Sequence, residues 1–256
     1  MKKIHLWTID DRLLTIVFCL LSLSLLPSCR KHFTHVVSVE TQTIDVDANG
    51  NELDTNYLAR LAPTKAVVDK EMNVKVGYIP DTLWVGSPEC PLLDWLTDAL
   101  FEAAKQLYDG PVDIAIVNMG SVRADWQPGD LTFGHIYNVM PFENTLVVIT
   151  LTGADIIELC ESFAEYGAQG IAGMRVKIID GQLADVTIGG KPVNPKKTYN
   201  VATSNYLTTG ADRMTALTKY SYYWDSEAPI RDLYIQAAKA QDTIRAAVDG
   251  RFMVEP

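Results

Sequence analysis

The sequence predicts an α+β fold, a single layered domain in which helices flank a mixed β-sheet, and three observations point to it. Short β-rich runs recur at Val112 to Val117, Thr145 to Leu151, Met174 to Ile179, Leu183 to Ile188 and Tyr199 to Ala202. One long amphipathic stripe, Leu92, Leu93, Leu96, Leu100, Ala103 and Leu107, has helical spacing. Asp180-Gly181, between two of the runs, is a two-residue hairpin turn with glycine second.

At the N-terminus, Lys2, Lys3 and Arg12 precede an apolar run from Leu13 to Leu26, too short to span a bilayer comfortably, and Pro27-Ser28-Cys29 closes it. A cysteine after Leu-x-Ser at such a position resembles the lipobox of a bacterial lipoprotein. Residues 1–28 are then a signal peptide, and acylated Cys29 tethers the domain to a membrane surface. A plain cleaved signal is the other reading. The expected location is the bacterial cell envelope, on the outer membrane facing the periplasm, because no acidic run follows Cys29.

Residues 29–55 read as a tether and an N-terminal strand, with Val37, Val39, Thr41 and Thr43 alternating. Asp45, Asp47, Asn49 and Gly50 fall on the first, third, fifth and sixth positions of a calcium-binding loop. Its twelfth position is Asn56 where a glutamate belongs, which favours an Asx-rich turn. The domain proper is 56–256. Its first helix, Asn56 to Asn73, is expected to start at or kink around Pro63. Val74 to Val85 reads as extended and broken at Pro80, and Ser87-Pro88 as the cap and first-turn proline of a helix ending near Asp109-Gly110.

Further on, Thr152 and Asp155 pair as a capping box for a helix that Gly167 stops. Thr203 to Met214 reads as a polar loop carrying Tyr206, Tyr220 to Trp224 is rich in aromatics, and Ile230 to Val248 has helical character.

Net charge is −10, and losing residues 1–28 makes the chain slightly more acidic. No basic tract remains, which argues against a nucleic-acid partner. The only histidines beyond the signal are His32, His35 and His135, without metal-ligand spacing, so no cofactor or metal is expected in this chain. Cys90 and Cys160 adjoin apolar helical sequence. They are a candidate pair in an oxidising compartment or two small core residues, with the unpaired reading preferred.

The stretch Val112 to Leu151 has the form of a functional edge: a β-rich run ending in Asn118, Gly120, Arg123 and Asp125, then Pro141-Phe142 before the next run. From Asn56 to Phe252 the chain resembles the C-terminal, substrate-binding domain of the 5′-nucleotidase family. LAPTKAVVDKEMN, ECPLLDWLTDAL, DIAIVNMGSVRADW, MPFENTLVVITLTGADI, KTYNVATSNYLTTGAD and DGRF carry the resemblance in collinear order. It implies a nucleoside or nucleotide ligand. It also implies a metallophosphoesterase domain, here a separately encoded partner subunit, that holds two divalent metal ions and performs the hydrolysis. No catalytic residue is then expected in this chain.

Residue by residue, the family's Asn-Gly-Gly-Gly-Ile-Arg loop matches Asn118 and Arg123, its Leu-Pro-Phe aromatic matches Phe142, its second stacking aromatic Tyr206, and the acid of Gly-Gly-Asp-Gly matches Asp212. Arg123 is a fork suited to phosphate, or else a surface partner of Asp125. Phe142 is a stacking face or a core residue. Met119 and Ser121 stand where the family has glycine, as do Ala211 and Arg213, and an arginine expected just before Glu89 is missing near Gly86. These departures remove a phosphate-binding charge and are expected to crowd the pocket.

Overall fold

A computed structural model describes residues 16–21, 41 and 55–256. The chain divides into two compact units, 1–53 and 54–256. The first carries helical backbone at 16–21; Cys29, the strand expected at 36–46 and the turn at 45–50 lie outside the described residues, Thr41 apart.

The second unit opens with α1 (Thr55–Met72), which runs on through Pro63 and buries none of its residues. Proline there forfeits one intrahelical hydrogen bond without ending the helix. Next, β1 (Lys75–Ile79) stops at Pro80 as expected. It pairs antiparallel with β3 (Gly129–Thr132).

α2 (Pro91–Leu107) begins three residues later than expected. Cys90 is its cap and Pro91 its first-turn proline, while the cis Ser87-Pro88 peptide lies in the preceding loop. Contacts with a distant segment decide this. The Glu89 carboxylate accepts from the backbone N–H groups of Asp249 (2.7 Å), Gly250 (3.0 Å) and Phe252 (3.3 Å), which fixes the loop before the helix.

The chain continues through β2 (Ile114–Val117), β3, α3 (Phe133–Val139) and β4 (Thr145–Thr152). α4 (Gly153–Tyr166) carries the expected Thr152–Asp155 capping box and ends at Gly167, φ 109°. Then come β5 (Gly170–Ala172), β6 (Met174–Ile179), β7 (Gln182–Ile188), β8 (Lys191–Pro192) and β9 (Thr198–Ser204). Asp180 and Gly181 both have positive φ, 51° and 71°, as the turn type inferred for the β6–β7 hairpin requires.

The end of the aromatic segment, Tyr222 to Trp224, opens β10 (Tyr222–Pro229), an edge strand the sequence did not announce. α5 (Ile230–Gln241) is shorter than its helical sequence. Asp242 turns to φ 59° and its carbonyl accepts from Tyr78 N (2.7 Å), while Ile244 N donates to Tyr78 O (2.8 Å), drawing the chain along β1. β11 (Phe252–Glu255) ends the fold beside β6.

The five-stranded sheet β10-β4-β9-β2-β5 is the central layer. Its strands alternate between two cores, as period-2 side-chain geometry demands. Ala115, Val117, Leu146, Val148 and Ala202 join Leu92, Leu96, Leu100 and Tyr234 of α2 and α5. Ile114, Ile116, Val147, Ile149 and Val201 join Leu159 and Phe163 of α4 and Val176 and Ile178 of the sheet β11-β6-β7-β8. Cys90 and Cys160 are buried and free. The α+β architecture is as the sequence predicts.

Candidate ligand site at the sheet edge

Strand directions bring three loops together. β2 and β9 are parallel neighbours, so both end at one edge of the sheet. β4 is antiparallel to β9, with Leu146 opposite Ser204, and therefore starts at that edge. β5 is antiparallel to β2, with Val117 opposite Gly170, and starts there as well. The loops after β2 and β9 and before β4 thus share a rigid base.

Asn118 follows β2 directly and is buried. Its Nδ2 donates to Asp212 Oδ2, while the Tyr206 hydroxyl donates to Asp212 Oδ1 at 3.2 Å. One carboxylate is therefore held by an amide from the first loop and a phenol from the second. Its charge, first, and then desolvation raise the Tyr206 pKa; Arg123 opposes them. Tyr206 is 43% exposed, so its ring remains available to solvent.

Arg123 is exposed, with its guanidinium carbon 5.4 Å from the centre of the Phe142 ring. Asp125, the alternative partner, instead accepts from Val85 N at 2.8 Å. Phe142 is half-buried, packing on the first core, so each of its two readings holds in part. All five sequence-identified residues thus lie on these converging loops, three joined by hydrogen bonds and two by a cation–π contact.

The expected crowding at Met119 and Ser121 is not found. Met119 packs against both cores, and buried Ser121 donates from Oγ to the Asn118 carbonyl at 2.7 Å. Only Gly120 faces outward, and a Cβ there would lie 3.7 Å from Asp212 Oδ2, ordinary contact distance. The two replaced glycines therefore stiffen the loop without filling the space in front of it. Arg213 stacks on Tyr166, 4.5 Å from the ring centre, and lines a cleft with Glu158, Glu161 and Glu165.

Two supporting residues went unnoticed in the sequence. Gln169, just before β5, accepts from Met119 N at 2.8 Å and donates to the Gly167 carbonyl at 3.3 Å, pinning the Asn118 loop. Buried Arg231, in the first turn of α5, lies 3.8 Å over the Tyr137 ring, contacts Glu143 Oε1 at 2.5 Å and donates to the Phe142 carbonyl at 3.4 Å. No periodicity or motif marks either one. His135 is accounted for structurally, since its Nδ1 accepts from Thr132 N at the start of α3 (3.1 Å). Among the described residues, no three His, Cys, Asp or Glu side chains are grouped to hold a metal ion.

The family model for the 5′-nucleotidase, C-terminal domain, matches residues 75–219. Protein UshA of Escherichia coli (strain K12) is 26% identical over 193 residues, which cover 72% of this chain and 35% of UshA. The trifunctional nucleotide phosphoesterase protein YfkN of Bacillus subtilis (strain 168) is 30% identical over 201 residues, 70% of this chain and 14% of its own. Among solved structures, the 5′-nucleotidase precursor from Thermus thermophilus shares the fold, with a TM-score of 0.69 at 24% identity over 78% of this chain and 42% of that one. The chain spans well under half the length of these relatives.

Proposed function

From the premise that this chain belongs to the 5′-nucleotidase C-terminal domain family, we propose that it is the substrate-binding half of a split 5′-nucleotidase. It works with a separately encoded metallophosphoesterase subunit in nucleotide hydrolysis and salvage. The observation that carries the proposal is the Asn118–Asp212–Tyr206 network beside the Arg123–Phe142 stack at one sheet edge. Phe142 and Tyr206 hold the base between aromatic faces, each stacked face contributing roughly 1–3 kcal/mol. Asp212 accepts a hydrogen bond from the base or the ribose, Asn118 orients that carboxylate, and Arg123 offers its donors to phosphate.

On this reading the hydrolytic step belongs to the partner, whose divalent metals would supply the activation of water, while this chain holds the nucleotide. Acylated Cys29 keeps the pair at the membrane, on the periplasmic face of the outer membrane.

A second reading is a membrane-tethered protein that captures a nucleoside, nucleotide or other small ligand without chemistry. Gly86 and its neighbours, in place of the expected arginine, favour it, since the pocket then has one phosphate-binding charge fewer.

The test mixes the purified chain with a metallophosphoesterase encoded beside it, and follows association, AMP binding by calorimetry and phosphate release. Association with turnover only in the mixture, weakened by Tyr206→Ala, is the expected result. AMP, adenosine or UDP-glucose binding without association favours the second reading; neither association nor hydrolysis defeats the first.

A further inference from the structure

Asn118 of the sheet-edge site also lines a small cavity of about 10 Å³, where the ends of β2 and β9 meet the first turns of α5. A single water molecule needs roughly 10–15 Å³, so the space fits one water and nothing larger.

The lining is partly polar. Asn118, Ser121, Asn144, Ser204 and Tyr234 share it with apolar neighbours, and all of these polar residues but Asn144 are buried. Tyr234 is wholly buried, and no protein atom hydrogen-bonds its hydroxyl. Helical side chains lean toward the N-terminus of their helix, and Ile230, one turn earlier on α5, borders the same cavity. The phenol therefore leans into this space.

Burial raises the Tyr234 pKa, so the group stays a neutral O–H donor. A buried hydroxyl without a partner is destabilising, and a water can supply that partner. The neighbouring hydroxyls have the complementary roles. Ser121 Oγ spends its proton on the Asn118 carbonyl at 2.7 Å and can only accept. Ser204 Oγ accepts from Leu207 N at 3.2 Å and keeps its own proton to give. A water among them has two donors, Tyr234 and Ser204, and an acceptor in Ser121. Three partners are what a buried water ordinarily has.

We propose that this cavity is a site for one tightly held water, which links the Tyr234 hydroxyl to Ser121 and Ser204 and makes Tyr234 a positioning residue for the loop that carries Asn118. Through it α5 is coupled to the ends of β2 and β9, so the Asn118 loop is anchored in the core as well as by Gln169. The site does not depend on which ligand the sheet edge takes, and it stands if the split-nucleotidase reading fails.

The test uses the intact chain. A high-resolution crystal structure should show one ordered water about 2.5–3.0 Å from both Tyr234 Oη and Ser121 Oγ. Tyr234→Phe then separates two accounts of the hydroxyl. Removing an orphaned hydroxyl would raise the melting temperature or leave it unchanged, whereas removing one bonded to water should lower it by about 2–4 °C. Hydrogen exchange reads the positioning role. The amides of Ser121 and Val122, which donate to carbonyls within the loop, should exchange about fivefold faster in the variant, while that of Val176, in β6, should not change. Empty density beside Tyr234 Oη, an unchanged or higher melting temperature, or equal acceleration at Val176 would overturn the proposal.

Discussion

Asp212 is the residue through which the sheet-edge site is assembled. It accepts from Asn118 and Tyr206 while its own backbone sits at φ 52°, in the left-handed region. Asparagine tolerates that conformation and keeps one acceptor oxygen, whereas alanine tolerates it poorly and keeps none. Asp212→Asn should therefore unfold in urea close to the parent, and Asp212→Ala should lose about 1–2 kcal/mol. Equal midpoints for the two variants would mean that the clamp contributes nothing to loop geometry. Asp94 makes a separate, pH-dependent contribution. Burial, above all, and Glu89 push its carboxyl up to about 7 against the opposing pull of Arg251. A carboxyl that keeps its proton longer when folded makes the native state the better proton binder between its ordinary range, about 4, and 7. The associated stability is present at the acid end and is lost as pH rises through 7. Asp94→Asn removes this titration. Its melting temperature should gain on the parent between pH 5 and pH 8, by the equivalent of about 1–2 kcal/mol after allowance for solvent screening. A constant difference across that range would show that Asp94 does not titrate there.

At the scale of elements, glycine marks how closely the layers approach. A Cβ on Gly170 would lie 2.4 Å from Thr97 Oγ1 and 2.8 Å from Leu93 Cγ, so β5 can pack on α2 only without a side chain there. Gly170→Ala should cost about 1–3 kcal/mol by overpacking. Gly120→Ala meets only ordinary contacts and should leave stability within about 0.5 kcal/mol, while lowering AMP affinity on the proposed reading, because the methyl group would stand 3.7 Å from the Asp212 carboxylate. Chemical denaturation and calorimetry on the two variants separate packing from binding. The same distinction explains what was legible beforehand. The β6–β7 hairpin and the Thr152–Asp155 cap rest on neighbouring residues, and local chemistry revealed both. α5 ends at Gln241 because residues far earlier, at Tyr78, claim the backbone beyond it; β10 forms because β4 offers an edge. α3 has seven residues, too few for a period to emerge. Asn118, Arg123 and Phe142 stood out locally as a polar edge between β-rich runs, and Tyr206 on its polar loop, but their grouping with Asp212 was legible only through family resemblance, since nothing local joins Asn118 to a carboxylate 94 positions away. Gln169 and Arg231 act on backbone groups of other loops and leave no local pattern.

For the molecule as a whole, the proposed division of labour and the shared sheet each make a claim. The described unit supplies aromatic, acidic and basic groups for holding a ligand but no grouped metal ligands. The chain alone, with manganese or zinc added, should release no phosphate from AMP in a colorimetric assay, and sustained turnover by a pure sample would contradict the split. The second claim concerns cooperativity. β4 gives Leu146 and Val148 to one core and Val147, Ile149 and Leu151 to the other, so neither core can dissolve without unpairing the same strand. Leu96→Ala, beneath α2, and Leu159→Ala, beneath α4, remove fully buried side chains from opposite faces of the sheet. Each should lower stability by about 2–5 kcal/mol. Both should shift one common transition, monitored in parallel by tryptophan fluorescence and far-ultraviolet circular dichroism. Because the two sites share no contacts, the double variant should show the sum of the single losses within about 0.5 kcal/mol. If Leu159→Ala instead split the curve, with one core melting ahead of the other, the central sheet would be a boundary between two folding units and not their common frame.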